Sequence, residues 1–169
     1  MQFLRRLFEC FFVWRVAPRE DCFADAQVII ACSMGDAANR ELARITTRLH
    51  ERFSLPLILQ WEIADNMPHT PKAGVVRTHH RGSSIYLDTY EVLAQAAQLA
   101  RVKSWQRAIL LAHPDHIWRV IRVAEKLGFR VVGVPDTSTV PYDPPWNHWK
   151  FMSREIFYAR PGYLFKGYI

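Results

Sequence analysis

Short apolar runs, each followed by a helical pattern, constrain this chain most. ADAQVIIAC (24–32) is continuously apolar, the pattern of a strand buried on both faces. Ala38, Leu42, Ile45, Leu49 and Phe53 then mark one face of a helix. PLILQ (56–60) reads as a second strand and GVVRT (74–78) as a third, with WEIADNMPHTPKAG (61–74) a proline-containing loop between them. A helix is expected from about Asp88 to Arg101, and RAILLA (107–112) is the clearest strand. Ile117, Val120, Ile121, Ala124 and Leu127 give the next helix its inner face, and Gly128 sits where a C-cap glycine belongs. FRVVGVP (129–135) is the last strand, and a final helix is expected over about 146–160.

Strands alternating with helices predict an α/β fold, a three-layer α/β/α sandwich. Its sheet should be mostly parallel and Rossmann-like, with about five strands and right-handed crossovers. No internal repeat suggests a second domain, so residues 24–169 read as one α/β domain and 1–23 as an amphipathic helix with its linker.

In such sheets ligands bind beyond the carboxyl ends of the strands, so residues just after each strand are the candidates. After the first strand come Ser33, Gly35 and Asp36. Gly35 permits close backbone approach, and the helix N-terminus favours an anion. The turn is neither GxGxxG nor a P-loop, and Ser33 and Asp36 can equally be helix caps. After the second strand, Glu62 could bind a metal, a ribose hydroxyl or an amine, or lie in a solvated loop with Gln60, Trp61 and Asp65.

SSIYLDTYE (83–91) opens a helix. Asp88 or Thr89 can cap it, Glu91 lies at capping-box distance from Asp88, and Glu91 is also the candidate site acid. LLAHPDHIWR (110–119) gathers the densest cluster. His113 ends the strand, and His116 and Arg119 share a helix face. His116 could be a general base, an acid or a metal ligand. Arg119 could clamp a phosphate or carboxylate. Zinc sites of known type use a longer motif than HxxH, so no metal site is assigned. The loop VPYDPPWNHW could cover the same edge, with Trp146, His148 and Trp149 lining a pocket, or could be a stiff connection.

A net charge of +6 suggests an anionic ligand or an acidic membrane face, or only a basic surface. Nucleic acid is not expected, because the arginines are scattered and no binding motif appears. Three cysteines, Cys10, Cys22 and Cys32, form no CxxC pair, so a reduced, cytoplasmic setting fits, with membrane association open. The start, MQFLRRLFECFFVWRV, is too short and charged to span a bilayer. It reads as a helix docked on the core or as an interfacial anchor, with residues 1–16 making peripheral membrane contact.

The ordered segments SSIYLDTYE, LLAHPDHIWR, LGFRVVGVP (127–135) and MSREIFYARPGYLFKGY (152–168) resemble the YdcF/SanA/ElyC-like proteins, over roughly residues 24–168. The chain departs from that pattern where QWEIAD replaces a Gly-rich turn and where His113 replaces a small hydroxyl residue. The resemblance implies a YdcF-like Rossmann-type domain whose site includes Thr89, Glu91, His116, Arg119 and Glu155. It also implies S-adenosylmethionine as a candidate ligand.

Two functions are therefore expected as alternatives. The first is binding of a nucleotide-like or phosphorylated anionic small molecule. Glu91 and His116 would handle protons in a hydrolase or transferase reaction, and Ser33, Gly35, Asp36, Glu62, Thr89, His113, Arg119 and Glu155 would hold the ligand. The second is a non-catalytic, envelope-associated module that uses the N-terminus.

Overall fold

The computed structural model describes residues 2–13, 15–81, 87–142 and 148–169. Five strands form one parallel sheet: β1 (Val28–Ala31), β2 (Leu57–Gln60), β3 (Gly74–Val76), β4 (Arg107–Leu111) and β5 (Arg130–Gly133). Their order is β3-β2-β1-β4-β5. The helices along the chain are α1 (Gln2–Phe12), α2 (Asp36–Phe53), α3 (Trp61–Asp65), α4 (Thr89–Val102), α5 (Ile117–Lys126), α6 (His148–Arg154) and α7 (Arg160–Phe165). A π-helical turn, Glu155–Ala159, links α6 to α7.

The unbroken apolar runs have a direct physical cause. Successive strand residues point to opposite faces, and here both faces are covered. Ile29, Ala31, Leu57, Leu59, Ile109 and Leu111 pack with the Ala38–Leu42–Ile45–Leu49 face of α2. Val28, Ile30, Ile58, Ala108 and Leu110 pack with α4 and α5 on the other side. Fully burying one such side chain contributes about 1.5–3 kcal/mol. The three-layer, Rossmann-like sandwich expected from the alternation is the fold observed.

Two elements differ from expectation. The segment after β2 is not all loop, because Trp61–Asp65 closes one helical turn that buries Ile63 and Ala64. The last helical region runs on to Phe165 instead of ending near Arg160. Pro161 stands in the first turn of α7, where a missing N–H costs nothing, so it starts a helix there instead of ending one. The stretch 143–147, and with it Trp146, lies outside the described residues.

The N-terminal helix α1 docks on α7, with Cys10 fully buried and Leu7 and Phe11 packed against the core. Further along, Arg19 bridges Val134 at the β5 edge in antiparallel fashion, so the linker is strapped to the sheet. No helix among the described residues is long and apolar enough to cross a membrane.

Candidate functional site

The sheet order places β2 on one side of β1 and β4 on the other. Between β1 and β4 the connections therefore depart in opposite directions, and a crevice opens beyond the strand ends. A cavity of about 590 Å³ occupies that crevice, within the range of small-molecule sites. The turn after β1 contributes Ser33, Gly35, Asp36 and Asn39 to its walls; the end of β2 contributes Gln60 and Glu62. The start of α4 adds Asp88 and Thr89, α5 adds His116 and Arg119, and the C-terminal helices add Arg154, Glu155 and Tyr163.

Side-chain amides hold the turn after β1 open. Ser33 N–H donates to Gln60 Oε1 at 2.8 Å, and Met34 N–H donates to Asn39 Oδ1 at 2.9 Å. Gly35 then takes φ 130° and ψ 158°, a conformation that strains any residue with a Cβ. Gly35 is the N-cap of α2 and has no side chain with which to cap it. The start of this 18-residue helix lines the cavity at Gly35 and Asp36 and carries the partial positive charge of its dipole.

A buried ionic cluster forms the opposite wall. Arg119 grips Glu155 with two bonds, Nε to Oε1 at 2.8 Å and Nη2 to Oε2 at 2.9 Å. Its Nη1 donates to Thr89 Oγ1 at 2.6 Å, and its Nη2 lies 3.0 Å from His116 Nδ1. The Tyr163 ring underlies the guanidinium at 4.7 Å, and Tyr163 Oη accepts from Thr89 N–H at 2.8 Å. Behind Glu155 lies Arg160, 1% exposed, with Nε 3.8 Å from Glu155 Oε1 and its guanidinium stacked on Trp118 at 4.6 Å. Burial alone would raise the Glu155 pKa, but the two-bonded Arg119 guanidinium outweighs it and holds the carboxyl below its ordinary value.

The same geometry assigns the His116 proton. Arginine has only donors, so the nitrogen facing Arg119 must be a lone pair. Burial first and the Arg119 charge second hold the His116 pKa below its ordinary value, so the ring is neutral with its proton on Nε2. Nε2 lies 3.5 Å from Thr89 Oγ1, at the cavity wall. The ring therefore presents an N–H at that wall.

Eight of the ten expected site residues line this one cavity: Ser33, Gly35, Asp36, Glu62, Thr89, His116, Arg119 and Glu155. Arg119 does so differently from expected. Its two-pronged edge is taken by Glu155, so it orders the wall instead of standing open as a clamp. Glu91 and His113 lie elsewhere. Glu91 completes a capping box with Asp88, accepting from Asp88 N–H at 2.8 Å, and does not line the cavity. His113 is fully buried with its ring edge-on to Tyr142 at 4.3 Å, and its Nδ1 accepts from Asp115 N–H.

Trp149 is exposed and does not reach the cavity. The wall expected from the proline-rich loop comes, among the described residues, from Arg154, Glu155 and Tyr163. Cys32 also lines the cavity, but burial pushes its thiol up to about 12, so it stays protonated. Among the described residues no group of three or more His, Cys, Asp or Glu is placed to hold a metal ion.

Fold and site together define a class: a Rossmann-like α/β protein with a ligand-sized cleft at the switch point of its sheet. No family model matches the chain, and it matches no curated protein and no solved structure.

Proposed function

We propose that this protein binds a phosphorylated or nucleotide-like anion in the switch-point cavity. The observation that carries the reading is a helix N-terminus facing a buried arginine cluster across one cleft, whose walls also carry the carboxylates of Asp36, Glu62 and Asp88. On one side is the N-terminus of α2, with the positive end of its dipole. On the other is a buried cluster in which two guanidiniums, Arg119 and Arg160, meet one carboxylate, Glu155, while His116 is neutral. That cluster carries one positive charge in excess, in a low-dielectric wall where it is felt strongly. Arg154 adds an exposed guanidinium at the rim.

A phosphate or carboxylate would sit over the first turn of α2, with Gly35 allowing close approach. Glu62, whose Oε2 accepts from the Thr78 hydroxyl, follows β2 where such folds recognise a ribose hydroxyl pair. His116 would donate its Nε2–H to negative charge on the ligand. A neutral imidazole in that role stabilises developing charge in a hydrolase or transferase step without releasing a proton. The YdcF-like resemblance makes S-adenosylmethionine one ligand to try, since it carries both a carboxylate and a ribose.

Thermal-shift and calorimetric titrations with inorganic phosphate, ATP, a sugar phosphate and S-adenosylmethionine test the reading. At least one should raise Tm as its concentration passes Kd. Arg154→Glu should weaken that ligand about tenfold, a typical loss for one charge-assisted contact. No shift with any of the four, or an affinity unchanged in both Arg154→Glu and Gly35→Ala, would refute it.

A further inference from the structure

Helix α1 has two apolar faces, and only one of them is used. Cys10 is fully buried, with Leu7 and Phe11 packed beside it. Leu4, Phe8 and Phe12 are spaced four apart and so form one stripe. Phe8 lies two positions from Cys10, roughly 200° around the helix at about 100° per residue, so the stripe points away from the body. Its residues are 68%, 60% and 61% exposed. The Phe8 and Phe12 rings stack on each other at 4.7 Å, which shapes one continuous ridge.

We infer that this ridge is an interfacial docking surface for an anionic lipid bilayer. Soluble proteins seldom leave such a stripe bare without a partner. The charge beside it selects the partner. Glu9 is the one acid in the helix, and Arg122 of α5 bonds it from the body side. Arg5 stands at the outer flank with its side chain 79% exposed, and its pair with Glu9 at 3.0 Å holds it only weakly. Arg6 follows it in the sequence.

A second copy of the chain fits worse. A two-fold interface would set the arginines of one copy against those of the other. With rings of about 200 Å² some 60% exposed, the three side chains of the stripe offer about 350 Å², against the roughly 800 Å² per partner of a stable dimer. A bilayer needs no matching shape. It takes the rings into the acyl boundary and meets the guanidiniums with phosphate.

This surface is separate from the switch-point cavity, so the inference stands or falls independently of the ligand proposed there.

Co-sedimentation of the full chain with phosphatidylcholine vesicles, with and without phosphatidylglycerol, tests it. Binding should require phosphatidylglycerol, weaken with added salt and drop about tenfold or more in the double variant Phe8→Ser, Phe12→Ser. Both rings are exposed, so that variant should keep the wild-type Tm, which separates docking from a structural role. No binding to phosphatidylglycerol vesicles, or binding equal in the double variant, overturns the inference. A concentration-dependent dimer that the double variant abolishes, in a chain that ignores vesicles, overturns it in favour of self-association.

Discussion

Glu155 is 2% exposed and faces two guanidiniums, so its charge is worth more to the fold than to any surface. Glu155→Gln would leave Arg119 and Arg160 buried and uncompensated. Breaking a buried pair this way costs about 3–5 kcal/mol, which urea denaturation would register as a lower midpoint. Acid titration of the wild type should proceed in two stages. The His116 pKa is lowered on folding, so the unfolded chain takes up a proton near 6.5 while the folded chain does not, and stability declines as pH falls below that point. Glu155 is held below its ordinary 4.5 in the fold, so its contribution is intact above 4.5 and is lost as pH falls below it. His116→Asn, which retains an acceptor for Arg119, should erase the upper stage and leave the lower one. An unchanged profile between pH 6.5 and 5 in that variant would mean His116 is not the group responsible.

At the level of elements, Asp88 and Glu91 show how closely a site residue and a cap can resemble each other in sequence. Both lie where a switch-point helix begins, and both carry carboxylates. What separates them from Thr89 is direction: the Glu91 side chain turns back onto Asp88 N–H while Thr89 faces Arg119. Glu91→Ala should therefore cost about 1 kcal/mol of stability, the usual worth of a cap, and leave ligand affinity in the cavity unchanged. A tenfold loss of affinity without loss of Tm would return Glu91 to the site. The strands were legible because burial on both faces demands apolar residues at every position, as in Val28–Ala31 and Leu57–Gln60. The Trp61–Asp65 turn was not, since a five-residue helix carries too little periodicity to detect. His113 and His116 could not be told apart by spacing. One lies behind the strand end and the other on the cavity wall, a distinction that arises only when α5 docks.

Across the whole molecule, the ionic cluster at the cavity wall is tied through Arg160 to both chain ends, which is why local patterns missed Arg160 and Tyr163. Arg160 Nη1 donates to the carbonyls of Val13 and Cys10, the latter at 3.4 Å, at the end of α1. The positive side chain thus meets the negative end of that helix dipole while its Nε faces Glu155. A residue 150 positions from Cys10 thereby joins α1 to the ionic cluster. Removing it should be felt at both ends. Arg160→Met keeps much of the side-chain volume over Trp118 but no donors, so α1 loses its anchor and Glu155 loses one of its two cations. Amide hydrogen exchange across residues 2–13 should speed up about tenfold or more, the response to losing roughly 1.4 kcal/mol or more of local protection. Anion affinity in the cavity should fall as well, because the excess positive charge of the cluster disappears with Arg160. Faster exchange in α1 with unaltered affinity would show that the anchor and the cleft are energetically separate, and that the charge of Arg119 alone sets the preference for anions.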